Sequence, residues 1–236
     1  MEQKEKAIGV FDSGLGGLTT VRELSELLPR EDIVYFGDTG RVPYGTRSRE
    51  TINRYAAQDI QFLLRHQVKV IIAACGTVSA VLDPAVQSEI PVPFTGVLLP
   101  AAQAAAKATR NGRIGVIGTA ATIASGAYRQ ALVALDASFN VASVACPLFV
   151  PLVENGYFGR DCAITRLAAE EYLVPLKDQG IDTLIMGCTH YPLIKEEIAA
   201  SLPGVKQIDT GAEAAAAIAP YCTAEDGETR YFVSDD

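Results

Sequence analysis

No uninterrupted apolar run in the 236 residues approaches the ~18 needed to cross a membrane. The charged opening, Met1-Glu2-Gln3-Lys4-Glu5-Lys6, is followed by no apolar stretch long enough for a signal peptide. The expected compartment is therefore the cytoplasm. Basic residues are outnumbered, 20 Lys+Arg against 28 Asp+Glu, and the formal charge of -8 lacks the basic face through which nucleic acid is normally met. An anionic small molecule would have to be held by local groups against that global field. Paired Cys-x-x-Cys motifs are absent, and the five cysteines are odd in number and scattered through mostly apolar contexts. These features argue against a structural zinc site and a disulfide framework, and for free thiols in a reducing compartment. The glycine turn Asp12-Ser13-Gly14-Leu15-Gly16-Gly17 lacks the G-x-G-x-x-G spacing of a dinucleotide loop. A carboxylate or phosphate at the start of the following helix fits it better. No lysine stands at a strand end beside the motifs below, which disfavours pyridoxal chemistry, and no cofactor or metal is expected. Aromatic residues make up only 7%, yet the 49% hydrophobic content suffices for one large core or two of roughly 110 residues each.

What is present is organised around two cysteines. Leu184-Ile185-Met186-Gly187-Cys188-Thr189-His190-Tyr191-Pro192 is an apolar run that stops at a thiol, with Pro192 then opening an amphipathic helix, Leu193 to Leu202. Val70-Ile71-Ile72-Ala73-Ala74-Cys75-Gly76-Thr77 has the same form and leads into a helix-like segment, Val78 to Gln87. Each reads as a buried strand delivering a thiol to a helix N-terminus, where partial positive charge lowers a thiol pKa and binds carboxylates.

The chain alternates strands and helices throughout. Strand Ala7–Phe11, the glycine turn and helix Leu18–Leu28 are followed by strand Ile33–Phe36, a long loop Gly37–Gly45 and a helix capped by Ser48 that runs to about His66. After the strand before Cys75 come strand Phe94–Val97 and a helix Ala101–Thr109. At Arg113 the pattern begins again, because Ile114-Gly115-Val116-Ile117-Gly118-Thr119 echoes Ile8-Gly9-Val10-Phe11-Asp12-Ser13. Helix Ile123–Leu135, strand 140–145, loop Pro147–Gly159, helix Asp161–Lys177 and the strand before Cys188 complete the repeat. Strand Val205–Ile208, helix Glu213–Tyr221 and a last strand Arg230–Ser234 end the chain. Ser13 precedes Cys75 by nearly the interval at which Thr119 precedes Cys188. The expected fold is α/β, two pseudo-symmetric three-layer αβα lobes with mostly parallel sheets and the active site in the cleft between them. The lobes are expected at 1–97 plus 209–236 and at 98–208. Such sheets bind ligands at the carboxyl ends of their strands, where Asp12, Ser13, Cys75, Thr119 and Cys188 all fall.

A lone cysteine after a strand is usually a small core residue, and Cys146, Cys162 and Cys222 are read so. The echo favours one site shared by Cys75 and Cys188, with His190 placed to tune the second thiol or trade protons with it. Inverting a carbon stereocentre needs a base on one face and an acid on the other. A thiol, with a reference pKa near ~8.5, can serve as either, so racemisation matches the pseudo-twofold symmetry.

With Asp12-Ser13-Gly14-Leu15-Gly16-Gly17, Val42-Pro43-Tyr44-Gly45, Cys75-x-Thr77 and Gly187-Cys188-Thr189-His190-Tyr191-Pro192 in this order, almost the whole chain resembles the glutamate racemase family. The first and last motifs together separate it from aspartate and hydantoin racemases, which share the two-cysteine design. The resemblance implies a cofactor-independent isomerase of the aspartate/glutamate racemase superfamily, a homodimer that makes D-glutamate for peptidoglycan. It implies that Cys75 removes the α-proton of D-glutamate, assisted by Asp12, and that Cys188 removes that of L-glutamate, assisted by Glu154 and His190. Ser13, Pro43, Tyr44, Gly45, Gly76, Thr77, Thr119, Thr122 and Thr189, with Asp12 and His190, match the family's ligand-contacting positions. Two departures stand out. The family usually has asparagine after the first cysteine, where Gly76 stands here, and loss of a hydrogen bond to a charged ligand group predicts binding weaker by ~1.5 to 3 kcal/mol. The family also continues past a Phe-Val-Ser stretch into a final helix, whereas this sequence stops at Asp236. Two rival readings are racemisation of another amino acid such as aspartate, through the altered position 76, and a regulatory homologue that binds glutamate without exchanging its α-proton.

Overall fold

In a computed structural model of the chain, residues 6–159, 162–222 and 227–235 are described. The charged Met1–Glu5 segment, Asp161 at the expected start of a helix, and Asp236 lie outside them. The chain opens with β1 (Ile8–Asp12), α1 (Leu18–Leu27), β2 (Ile33–Gly37), α2 (Arg49–Arg65), β3 (Val70–Ala73), the short helices α3 (Gly76–Val81) and α4 (Pro84–Ser88), and β4 (Phe94–Gly96). Next come α5 (Leu98–Ala108), β5 (Arg113–Gly118), α6 (Ala120–Ala124), α7 (Ala127–Leu135), β6 (Asn140–Ala145), α8 (Phe149–Glu154) and α9 (Ala163–Asp178). It closes with β7 (Thr183–Met186), α10 (Lys195–Ser201), β8 (Lys206–Asp209), α11 (Thr210–Ile218) and β9 (Thr229–Val233).

The strands form two wholly parallel sheets. The first has the order β4-β3-β1-β2-β9 and the second β6-β5-β7-β8. Read from the same side, β2-β1-β3-β4 and β6-β5-β7-β8 are one topology twice, with β9 added at the outer edge of β2. In each sheet the chain leaves the first strand in one direction and returns on its other side. The carboxyl ends of β1 and β3, and of β5 and β7, are thus topological switch points, where α/β sheets open a crevice for ligand. β1, β2, β3 and β7 are buried along their whole length, which is why they read as continuous apolar runs. Alternate residues feed opposite faces: Ile8, Val10 and Ile72 pack beneath α1 and α11, whereas Phe11, Ile71 and Ala73 pack toward α2 and α3. Burying each of the larger of these side chains, Ile8, Val10, Phe11, Ile71 and Ile72, contributes about 1.5 to 3 kcal/mol.

Several helices differ from the sequence expectation for identifiable reasons. The segment Val78–Gln87 is two helices, because Pro84 forces the preceding Asp83 to extended backbone, ψ 131°. Asp83 then caps the second helix by accepting the Ala85 N–H at 2.9 Å. Ile123–Leu135 is likewise broken, at Gly126 with φ +66°, and α6 starts early because Thr119 caps it. α11 begins at Thr210, three residues before the expected Glu213, because the Asp209 carboxylate accepts the Gly211 and Ala212 N–H groups at 2.9 and 3.3 Å. Pro192 opens a 3₁₀ turn, Tyr191–Ile194, before α10. The expected loop Pro147–Gly159 contains α8, which buries Phe149 and Val153 against α9 and the Tyr191 ring.

Candidate active site

Cys75 ends the β3 segment with extended backbone and serves as the N-cap of α3. Its Sγ donates to Ser13 Oγ at 3.5 Å, across the switch point from the end of β1. Burial and the neighbouring Asp12 charge push this thiol up to about 12. The expected lowering by the helix N-terminus is outweighed, because a dry, anion-flanked pocket penalises a thiolate more than one short helix favours it.

Asp12 does not line the cleft. It is fully buried beneath it, where its Oδ2 accepts the Gly14 and Gly17 N–H groups at 3.2 and 3.0 Å and the Thr189 hydroxyl reaches Oδ1 at 3.5 Å. Burial raises its pKa against the pull of His190 and those N–H groups. The anion expected at this glycine turn is thus the chain's own Asp12, and the N–H groups foreseen for a ligand are taken. The glycines have a different reason. A Cβ on Gly17 would stand 2.5 Å from Asp12 Cβ, and one on Gly16 would stand 2.4 Å from Thr189 Oγ1 and 2.5 Å from His190 Cε1. Only glycine lets the second lobe's Thr189–His190 loop settle on the first lobe's turn, where the Thr19 hydroxyl donates to Thr189 O at 3.0 Å.

Cys188 occupies in the second lobe the place of Cys75 in the first, beyond the end of β7. No α-helix starts at it; a bend and the 3₁₀ turn follow. His190 supplies the local charge instead. Its Nδ1 lies 3.8 Å from Cys188 Sγ and its Nε2 3.2 Å from Glu154 Oε1. Burial opposes a charge on this ring, but the hydrogen bonds to Cys188 and Glu154 and the Cys188 and Asp12 charges win, raising it to about 10. At neutral pH the second thiol therefore has an imidazolium beside it.

The two walls meet at backbone contact. A Cβ on Gly76 would stand 2.1 Å from the Gly187 carbonyl oxygen, so the residue after Cys75 presses on the residue before Cys188. A side chain at position 76 would require this contact to shift, so a close backbone approach stands beside the missing amide as a reason for Gly76. Three threonine hydroxyls cross the same seam: Thr77 meets Thr119 at 2.9 Å, and Thr119 meets Thr122 at 3.0 Å. Thr122 is buried behind this cluster and does not line the cleft.

The enclosed space is about 150 Å³, below the roughly 300–1,000 Å³ of sites for drug-sized ligands, and suits a small molecule. Ser13, Pro43, Tyr44, Gly45, Cys75, Gly76, Thr77, Thr119, Glu154, Cys188, Thr189 and His190 line it. Sequence reasoning missed Val42, Cys146, Val150 and Pro151, which also line it. Cys146 follows the end of β6 as Cys75 follows β3, a signal that was legible; Val150 and Pro151 arrive on α8, where a loop was expected. Cys162 and Cys222 are half-buried and do not line the cleft. Among the described residues no group of three or more His, Cys, Asp or Glu is placed to hold a metal ion, and no helix is long and apolar enough to cross a membrane.

A family model described as Asp/Glu/Hydantoin racemase matches residues 8–218. The chain is 46% identical to a glutamate racemase of Geobacter metallireducens over 239 residues, covering 98% of this chain and 88% of that protein. Among solved structures, a glutamate racemase isoform from Bacillus anthracis superposes with a TM-score of 0.94 at 38% identity, covering 99% of this chain and 90% of that one. The Francisella tularensis glutamate racemase, solved in complex with D-glutamate, superposes with a TM-score of 0.91 at 41% identity, covering 99% and 89%.

Proposed function

The chain belongs to the Asp/Glu/hydantoin racemase family, and from that membership we propose that it interconverts L- and D-glutamate without a cofactor, by proton transfer at Cα between Cys75 and Cys188. The observation that carries this reading is the placement of two thiols at equivalent strand ends of two like-folded lobes, both lining one small cleft. Removal of the α-proton by one thiolate and delivery of a proton by the opposite thiol inverts the centre; the enzyme is left in the protonation state that runs the reverse reaction. The buried Cys75, held as a thiol at neutral pH, is the acid when L-glutamate is the substrate, with Cys188 the base. His190, charged and held by Glu154, stabilises negative charge on the Cys188 side. On the other side Asp12 fixes the glycine turn and, through Thr189, the second-lobe loop. Ser13, Tyr44, Gly45 and the Thr77 and Thr119 hydroxyls position the bound amino acid in a protein whose net charge would otherwise repel it.

The lobes taken as functional halves are 1–97 with 209–236, and 98–208. The product D-glutamate is suited to peptidoglycan synthesis, and we assign the enzyme to the cytoplasm as a homodimer on the family's usual organisation. Circular dichroism of L-glutamate incubated with purified protein and reductant, beside an aspartate sample, tests the activity. The glutamate signal should decay to zero. A flat glutamate trace with a decaying aspartate trace would move the assignment to the neighbouring substrate, and two flat traces would overturn it.

A further inference from the structure

Behind the Val42–Thr46 wall of the cleft lies a buried polar cluster that the proton transfers do not use. Asp38, at the end of β2, and Asp59, on α2, are both fully buried. The Arg41 guanidinium bridges them, with Nε 2.6 Å from Asp38 Oδ2 and Nη2 3.0 Å from Asp59 Oδ1. Its other face stacks on Tyr55, 4.3 Å from the ring centre. The Tyr44 hydroxyl meets both acids, hydrogen-bonded to Asp38 Oδ2 and 3.0 Å from Asp59 Oδ2.

Counting protons decides the state of this cluster. A phenol has one O–H to donate, and burial with two carboxyl neighbours keeps Tyr44 from ionising. Two ionised carboxylates would leave one contact as lone pair against lone pair, between groups buried from solvent. One acid must therefore donate. Asp38 Oδ2 already accepts a short charge-assisted bond from Arg41, and Asp38 Oδ1 is buried with no hydrogen-bond partner among the described residues, so a proton there would be an unsatisfied donor. Among the described residues Asp59 Oδ2 has the phenol as its one hydrogen-bond partner. The consistent chain runs from Asp59 O–H to Tyr44 Oη, from Tyr44 O–H to Asp38 Oδ2, and from Arg41 to both acids. It is electrically neutral, whereas two ionised acids would bury a net negative charge.

We propose that Asp59 is a protonated positioning residue, whose carboxyl proton, donated to Tyr44, holds the Val42–Thr46 loop in the shape that closes the substrate cleft. The loop reaches across to the second lobe: a Cβ on Gly45 would lie 2.9 Å from Thr119 Cβ. Displacing it therefore disturbs the threonine seam as well as the Tyr44 wall. Asp59 is faced by Asp38, Arg41 and Tyr44 from the loop and by Asp12 from β1; on α2, Tyr55 and Gln58 meet the same Arg41 guanidinium. Burial first, and the Asp38 charge second, push Asp59 up to about 8, so the proton is present at neutral pH and leaves in mild alkali. The effect on substrate affinity rests on the racemase reading, whereas the proton itself does not.

The test compares wild type with Asp59→Asn, whose amide oxygen can accept from Arg41 while its NH₂ donates to Tyr44 at every pH. At pH 9 about one molecule in eleven retains the Asp59 proton, so the wild-type KM for glutamate should rise about tenfold between pH 7 and 9. In Asp59→Asn the KM should stay level over that interval. Identical KM profiles for the two proteins, or a tenfold higher KM for the variant already at pH 7, would overturn the proposal. Infrared spectroscopy reads the proton without turnover. A buried carboxylic-acid carbonyl stretch should be present in wild type at pH 6.5, lost by about pH 9.5, and absent from the variant. Its absence from wild type overturns the protonation whatever the activity, and a wild type that shows the band but does not racemise glutamate separates failure of the functional reading from failure of this one.

Discussion

The two lobes share a strand order and place a cysteine at the same point of it, yet surround that cysteine with opposite charge. In the first lobe Cys75 is flanked by Asp12, whose charge joins burial in raising the thiol to about 12. In the second lobe the residue equivalent to Asp12 is Gly118, which carries no charge, and the charge comes from His190, 3.8 Å from Cys188 Sγ and carried to the site by the loop after β7. Topology makes the site symmetric enough to present a thiol from each lobe to one cleft, and the side chains around the two thiols make its two sides electrostatically different. On the proposed two-base reading each turnover needs one thiolate to take the α-proton and one thiol to return a proton to the opposite face. The most direct way to break the comparison is to remove one thiol at a time. Cys75→Ala and Cys188→Ala should each lower racemisation by at least the 10²–10⁴-fold of a lost acid–base group, followed by circular dichroism. Substantial turnover by both variants would end the two-base reading.

Taking the charge from the second lobe alone is the next sharpest probe. His190→Gln should lower kcat/KM by about 10²-fold. Because the enantiomers have equal free energy, kcat/KM must fall equally in both directions, and only its division into kcat and KM can differ. Unequal falls would indicate damage during assay. The charge also has a pH signature. His190, raised to about 10, favours the folded state fully below its ordinary pKa of ~6.5, and that contribution is lost as pH rises through about 10. The variant's loss of thermal stability relative to wild type should therefore shrink over that window.

The seam between the lobes yields a smaller effect, and it separates two explanations of Gly76. If glycine merely lacks an amide that the ligand could use, Gly76→Asn tightens binding. If the contact with Gly187 sets the spacing of the thiols, the new Cβ, 2.1 Å from a backbone oxygen, forces the lobes apart. Overpacking of this kind costs about 1 to 3 kcal/mol, and misplacing reacting groups by roughly 1 Å can slow a reaction about 10²-fold. Turnover should fall about tenfold or more in both Gly76→Asn and Gly76→Ala. A lower KM with unchanged kcat in the asparagine variant would show that the site has room after all.

What could be read from the chain alone follows the same division between topology and contact. The strands before Cys75 and Cys188 were legible because a parallel strand buried on both faces must be apolar throughout, and their repetition exposed the twofold design. The partners of polar groups were not. The sequence marks Asp12 as a strand-end site residue and the glycine turn as a carboxylate or phosphate site, whereas the Gly14 and Gly17 N–H groups meet the Asp12 carboxylate and Gly16 and Gly17 make room for Thr189, His190 and Asp12. Nothing local marks Asp38, Arg41, Tyr44 and Asp59 as one cluster, since α2 must first pack against the loop. α8 was hidden by Pro147 and Pro151, which suggest loop, although Phe149 and Val153 have the i,i+4 spacing of a buried helical face.

Glu154 offers the mildest test of the asymmetry. It holds His190 Nε2 at 3.2 Å, but its side chain is 41% exposed, against 8% for the histidine. Water screens such a pair, and exposed ion pairs contribute about 0.2 to 1 kcal/mol. The imidazolium also has Cys188 and Asp12 to favour its charge, so losing Glu154 leaves the second lobe's polarity in place. Glu154→Gln should therefore reduce kcat/KM no more than about fivefold and move the alkaline limb of the pH profile slightly downward, as measured across pH 7 to 10. A loss as large as that of His190→Gln would mean that Glu154 handles a proton itself, and the charge difference between the lobes would then belong to the Glu154–His190 pair rather than to the histidine.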